Sequence, residues 1–279
     1  MKTIDLHTHS LASDGAQTPA DVVRTAHAAG LAAMALSDHD TIDGVAEAMA
    51  EGERLGIEVI PAVELSAQSD TELHILGYFI DIQNKPLIDA MGYALRVRDE
   101  RQEETCQKLN EQGFAITMDE LREEANGNPV LCRAHFAQIM VRKGYAESVQ
   151  DAFKRYLSVG CYAYSNRQAF TAQECISIIR EAGGLPVAAH LHLIKKPDDE
   201  LREYLRELVG YGLAGIEGYY TDYTPDMDIR YRAMAEEFGL TISGGTDYHG
   251  ANKPHIAIGK GRGNLEIPYS VLEGLKAIR

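Results

Sequence analysis

The chain has little that would staple it or anchor it. Its four cysteines, Cys106, Cys132, Cys161 and Cys175, form no CxxC pair and stand far apart. That excludes a cysteine-built zinc site and a disulfide framework, and reads as reduced, structural thiols. No apolar run approaches the roughly 20 residues that a membrane helix needs. The first residues, MKTIDLHTHS, turn polar at once without the apolar core of a secretion signal. These absences predict a soluble, cytoplasmic protein with no membrane partner. Positive charge is also scarce: 27 Lys and Arg stand against 42 Asp and Glu, for a net charge of −15. A general grip on long nucleic acid is thereby excluded, while a short anion held through bound metal is not. Low-complexity sequence and short solenoid repeats are missing too. What is there, 279 residues with 45% hydrophobic and 25% charged content, suits one large domain or a domain carrying an insertion.

Short β-branched or apolar runs alternate with longer helical patterns. Strands are expected at residues 3–6, 33–36, 58–63, 73–80, 186–189, 215–217 and 241–244. Thr18-Pro19-Ala20-Asp21 opens a first helix ending near Gly30, with Thr18 as its cap, Pro19 at the first helical position and Asp21 in the first turn. A second helix is expected over 43–55, closed by Gly56, and others over 172–182, 199–211 and 225–238. Between 85 and 165 the rhythm changes to charged helical pattern, at 87–111, 118–125, 133–143 and 148–157, with no strand between. This stretch reads as a helical insertion packed over a main domain of 1–84 and 166–279. Seven strands in a βα series predict an α/β fold, a barrel slightly short of the eight-stranded form.

Histidines concentrate at the ends of these strands. Asp5-Leu6-His7-Thr8-His9 ends the first, and a period of two points both imidazoles to one side, where they can chelate one metal. Ser37-Asp38-His39-Asp40 follows the second strand, Glu64 the third and His190 the fifth, while Asp247 and His249 follow the last. His74 lies in the fourth strand, and Asp14 in the Ser13-Asp14-Gly15 loop. Six of ten histidines thus fall where a barrel places its active site. Nine donors exceed one ion, since zinc takes about four and manganese about six, so two or three divalent ions are expected. Glu64 is the expected bridge, because a carboxylate has two oxygens to share. The mixed nitrogen and oxygen set suits manganese first, and iron or zinc as well. Three such ions bring about +6 against three carboxylates, making a positive pocket that favours an anionic substrate such as a phosphate ester.

The set DLHTHSLASDG, ALSDHDT, VELSA, ELHILGY, a late His after PVAAH, and GGTDYHG resembles the PHP (polymerase and histidinol phosphatase) family, in chain order and over most of the chain. The helical stretch, through Arg133-Ala134-His135-Phe136-Ala137, Lys143-Gly144-Tyr145 and residues 148–157, resembles a branch of compact phosphoesterases acting on nucleotides. The resemblance implies a distorted seven-stranded (β/α) barrel with a trinuclear metal site. It would give His7, His9, Glu64 and Asp247 to one metal, Glu64, His74 and His190 to a second, and Asp14, His39 and His249 to a third. Two departures stand out. Relatives usually follow the late His with Pro, whereas this chain reads Ala189-His190-Leu191-His192. The family's Pro-Ala-Tyr-Val-Pro-Arg is here Cys161-Tyr162-Ala163-Tyr164-Ser165-Asn166-Arg167, without its prolines.

The chemistry follows from the donors. Two cations lower the pKa of a shared water from about 16 toward 7, so a hydroxide bridging them at Glu64 would attack phosphorus in line. His249 or His192 would give the departing oxygen its proton, although a loop histidine facing solvent is the plainer reading of His192. Arg133 is expected to fork a substrate phosphate, with His135 and Arg167 beside it. The charges of Arg96 to Glu104 read as a solvated helix face, residues 259–263 as a glycine-rich turn, and Glu217 as support for a metal-bound His or a strand end. Tyr219, Tyr220 and Tyr223 read as packing before base stacking. The leading function is phosphomonoester hydrolysis on small nucleotides, and the resemblance implies removal of the 3′-phosphate from nucleoside 3′,5′-bisphosphates, adenosine 3′,5′-bisphosphate giving AMP and phosphate. The second is 5′→3′ exonuclease action on short RNA, and the third is histidinol-phosphate hydrolysis. An amidohydrolase fits the donor order poorly, and a partner-binding module without activity would be expected to lose donors.

Overall fold

Apolar runs with turn residues at both ends form the strands. The computed structural model describes residues 2–128, 130–166 and 168–279. The strands are β1 (Ile4–Thr8), β2 (Ala33–Leu36), β3 (Glu58–Gln68), β4 (His74–Tyr78), β5 (Phe170–Thr171), β6 (Leu185–Ala188), β7 (Gly215–Tyr220) and β8 (Thr241–Gly245). Seven of them pair in the order β1-β2-β3-β4-β6-β7-β8, and β5 extends the far end of β3. The ring closes between β8 and β1, where buried Asp5 accepts hydrogen bonds from Thr246 N at 2.9 Å and Gly259 N at 2.8 Å. Gly245 permits this approach, because a Cβ there would collide with His7.

One expectation needs correction. The strands were expected in a βα series, but β4 runs antiparallel to both neighbours, with Glu64 opposite Leu76 and Ser66 opposite His74. Only residues 69–73 join β3 to β4, whereas a parallel crossover needs a dozen residues or more. The reversal brings the start of β4, and hence His74, to the face where the parallel strands end.

Alternating side chains build two layers. Ala33 and Ala35 join Ile4, Leu6, Ile60, Ala62, Tyr78 and Val187 in one cluster, while Met34 and Leu36 pack on Val22, Val23 and Ala26 of α1 (Pro19–Ala28). Thr18 accepts the Asp21 N–H at the start of α1, as expected. α2 (Val45–Leu55) ends at left-handed Gly56. The helical stretch contains α3 (Lys85–Glu111), α4 (Met118–Glu124), α5 (Arg133–Arg142) and α6 (Val149–Ala152). Here the expected helix over 148–157 changes at Phe153–Leu157 into a π turn. Leu109, Leu121, Phe136, Ile139, Met140 and Leu157 give these helices a hydrophobic cluster of their own. α7 (Ala172–Glu181), α8 (Asp198–Tyr211) and α9 (Pro225–Phe238) lie where expected. α10 (Ser270–Ala277) was not expected; its Leu272 and Leu275 bury against the inner cluster. Among the described residues no helix is long and apolar enough to cross a membrane.

Candidate active site

Strand ends carry the polar residues because the backbone there leaves the sheet. His190 (φ 27°) and Asp247 (φ 56°) take up left-handed backbone immediately after β6 and β8, at a cost of about 1–2 kcal/mol each for a residue with a Cβ. Strain of this kind is held in place by surrounding structure, and here it turns His190 onto Glu64 and Asp247 onto His9.

Glu64 is the hub. Its Oε2 lies 3.2 Å from His7 Nε2, 3.3 Å from His9 Nε2 and 3.0 Å from His39 Nδ1. Its Oε1 lies 2.9 Å from His74 Nδ1 and 3.0 Å from His190 Nε2. Asp247 Oδ1 stands 3.2 Å from His9 Nε2 and 3.8 Å from His7 Nε2. On the other side, Asp14 Oδ1 is 3.1 Å from His249 Nε2, and Asp14 Oδ2 is 3.9 Å from His39 Nε2. All nine side chains singled out in the sequence therefore come together, and the groups whose donor atoms lie close enough to share one ion are His9, Asp14, His39 and His249; His7, His9 and Glu64; and His39, Glu64 and His74. His39 also reaches Glu64, and His9 also approaches Asp14.

The geometry fits cations. Donors each about 2.1 Å from one ion sit about 3–3.5 Å from one another, which is the spacing around Glu64. Among the described residues, His7 Nε2, both ring nitrogens of His9, His39 Nδ1 and Glu64 Oε2 are buried without a hydrogen-bond partner, and unmatched buried polar atoms are costly. Burial pushes the His39 imidazole down to about 3, leaving the neutral ring that binds metal. Burial alone would raise Asp14, Glu64 and Asp247, but neighbouring imidazoles, and Lys253 beside Asp247, hold all three well below the usual carboxylate range. Anionic carboxylates packed together in a dry site call for positive charge.

Around the donors stands a supporting layer. Glu217 Oε1 lies 2.9 Å from His7 Nδ1, and its Oε2 accepts the His190 N–H at 2.6 Å, so Glu217 braces two donors at once. Asp247 Oδ2 accepts from Tyr220 OH at 2.8 Å and Lys253 Nζ at 2.6 Å. His249 Nδ1 donates to the Asp247 carbonyl at 2.8 Å, which turns its Nε2 toward Asp14.

A cavity of about 920 Å³ opens over these groups. Arg98, Arg101 and Arg133 line it on the side of β2, β3 and β4. Contrary to the solvated face expected over Arg96 to Glu104, Arg98 and Arg101 are each only 6% exposed. Both fall on the stripe of α3 that buries Leu87, Met91, Ala94 and Leu109; extending that stripe by threes and fours would have found them. Arg98 pairs with Asp40. Arg101 has no such carboxylate among the described residues: Nη1 donates to Gln168 Oε1 at 2.9 Å and Nε has no partner. Burial beside Arg98 and Arg133 disfavours its charge.

Arg133 lies at the start of α5 and in the cavity wall, its Nη2 2.8 Å from Glu72 Oε1. That pairing holds the Glu72 carboxyl down to about 2 against its burial. His135 is buried and caps its own helix, Nδ1 accepting the Cys132 N–H at 3.1 Å, and it does not line the cavity. Arg167 lies outside the described residues. His192 is half-buried in the cavity wall rather than facing open solvent, its ring centroid 5.4 Å from that of Tyr220 and 5.5 Å from that of Tyr223. Residues 259–263 form the expected turn, with Gly259 N tied to Asp5.

Comparison with known proteins agrees with this geometry. The PHP domain family matches residues 5–211. A 5′-3′ exoribonuclease from Haemophilus influenzae is 32% identical over 249 residues, covering 89% of this chain and 90% of that protein. A 3′,5′-nucleoside bisphosphate phosphatase from Chromobacterium violaceum is 31% identical over 250 residues, covering 89% of this chain and 88% of that protein. A solved structure from Bifidobacterium adolescentis, described as a metal-dependent phosphoesterase, superposes with a TM-score of 0.86 at 27% identity over 99% of this chain and 96% of that one. The chain belongs to the PHP family and is a metal-dependent phosphoric ester hydrolase with a barrel-type α/β fold.

Proposed function

We propose that this enzyme removes the 3′-phosphate from small nucleoside 3′,5′-bisphosphates, converting adenosine 3′,5′-bisphosphate to AMP and phosphate. The observation that carries the reading is Arg101, a buried guanidinium without a carboxylate partner among the described residues, in the same cavity as the donor cage. A buried cation of this kind is matched by an anion brought in with the substrate, here the 5′-phosphate, while the 3′-phosphate lies over Glu64. Arg133 adds a weaker contact because Glu72 already holds it.

Two or three divalent ions, manganese first, would be held by His7, His9, Asp14, His39, Glu64, His74, His190, Asp247 and His249. Bound there, they would acidify water at neutral pH and neutralise phosphoryl oxygens. In the reaction water adds to phosphorus, the bond from phosphorus to the 3′ oxygen breaks, and the departing oxygen takes a proton. Glu64 fixes the positions of five imidazoles, and Glu217 fixes the rings of His7 and His190 through an imidazole nitrogen and a backbone N–H. His249, with Nδ1 committed to a carbonyl, serves as a donor atom. Residues 85–165 act as an insertion that narrows the site and selects short substrates, over a barrel domain of 1–84 and 166–279.

The test is chromatographic product analysis of manganese-loaded protein with adenosine 3′,5′-bisphosphate. Stoichiometric AMP and phosphate are expected. Adenosine 5′-phosphate left unformed by protein that holds its metal would overturn the reading.

A further inference from the structure

The cavity does not stop at the cage. It continues on the side of β6, β7 and β8, opposite the arginines in the ring of strands. His192, Leu193, Asp222, Pro254, His255 and Arg262 line this second half. Its chemistry differs from the first. Among the described residues its lysine and arginine are both matched: Lys253 Nζ lies 2.6 Å from Asp247 Oδ2, and Arg262 Nε lies 2.8 Å from Asp222 Oδ1. No cation is left over for another phosphate. What the wall offers instead is ring and apolar surface.

The His192 ring is held at its back by Tyr220 and Tyr223, and Tyr220 is itself fixed through its hydroxyl on Asp247. A braced flat ring in a wall that also carries Pro254 and His255 fits a heterocycle by stacking. The paired Asp222 and Arg262 add an acceptor and a donor for a base edge.

We infer that His192 and the cavity wall around it bind the nucleobase that follows the scissile phosphate when a short 5′-phosphorylated RNA, the second substrate expected from the sequence, lies over the cage as a diester. The inference rests on the proposed reading, in which Arg101 holds the 5′-phosphate and Glu64 lies under the scissile phosphorus. A bisphosphate has no group beyond that phosphorus, whereas a dinucleotide places its second base there. The diester reaction breaks the same bond: water adds to phosphorus, the bond to the 3′ oxygen of the first nucleotide breaks, that oxygen takes a proton, and the shortened chain keeps a 5′-phosphate.

Three substrates for the manganese-loaded enzyme separate the possibilities: adenosine 3′,5′-bisphosphate, a 5′-phosphorylated adenylyl dinucleotide, and the matching diester whose second nucleotide is replaced by methyl. The wild type is expected to favour the dinucleotide over the methyl diester about tenfold in kcat/KM, the scale of one stacked base. His192→Ala should erase that preference, and His192→Phe, which keeps a flat ring, should retain most of it. Equal rates on the two diesters in the wild type, or a preference that survives His192→Ala, would overturn the inference. So would a loss after His192→Ala that is the same on all three substrates, which would mark His192 as support for the cage. If the loaded wild type turns over none of the three, the proposed function itself fails. Calorimetry with an uncleavable methylene-linked dinucleotide and its methyl counterpart then decides the base site alone: tighter dinucleotide binding, lost in His192→Ala, supports it, and equal binding overturns it.

Discussion

The donor cage draws on the ends of six strands, whereas the arginine wall beside it draws on two helices, and the two were differently visible in the sequence. At a strand end a short side chain needs only the right register to reach the centre of the ring. His7, His39, Glu64, His74, His190 and Asp247 do so from β1, β2, β3, β4, β6 and β8. Arg98 and Arg101 reach the cavity only because α3 lies across it with that stripe turned inward. The cage is thus set by topology, while the arginine wall is set by helix packing, and in the proposed function metal binding falls to one and substrate recognition to the other.

Substitutions can break that division. The largest effect is expected from Glu64→Ala, which removes the carboxylate shared by five imidazoles. It should lower kcat by about a thousandfold or more together with bound metal, read by steady-state kinetics and elemental analysis. Near-normal activity would defeat the hub assignment. Next comes Arg101→Leu, for which kcat/KM on adenosine 3′,5′-bisphosphate should fall about a hundredfold, the scale of a buried charge-assisted contact. Its metal content should stay that of the wild type, and adenosine 3′-phosphate, which lacks the 5′ group, should be hydrolysed at close to the wild-type rate. An equal loss on both substrates would move Arg101 out of substrate recognition.

Smaller effects sharpen the boundary. Glu217→Gln keeps an acceptor for His190 but weakens the brace on His7, so metal affinity should drop roughly tenfold, measured by competition with a chelating dye. Unchanged affinity would reduce Glu217 to a packed strand residue. Arg133→Ala should raise KM for the bisphosphate a few-fold and spare metal. Glu72→Gln should lower KM by a similar factor, because it frees Arg133; a rise instead would show that the ion pair positions the arginine for substrate. The sign of the pH effect follows from the same pair. The Glu72 carboxyl is held down to about 2, so its contribution to stability is complete above its unfolded value and is lost as pH falls toward 2.

Legibility in the sequence followed the same line. The Thr18 cap, the Gly56 stop and the strands at 33–36 and 241–244 were readable because local propensity and tertiary structure agree there. The antiparallel β4 was missed because an apolar run carries no direction, although the short connection at 69–73 did. Arg98 and Arg101 were missed because buried arginine is rare and charge was taken as exposure. His135 was drawn toward the substrate by its motif, but its ring is occupied by the backbone of Cys132. α10 was missed since eight residues give too few turns for a periodic signal.

One buried carboxylate that organises a site for several ions fixes how many the protein holds. Elemental analysis of the wild-type protein after manganese loading and removal of free metal reads that number. About two or three tightly held divalent ions per chain are expected. One ion or none, in folded protein, would contradict that expectation.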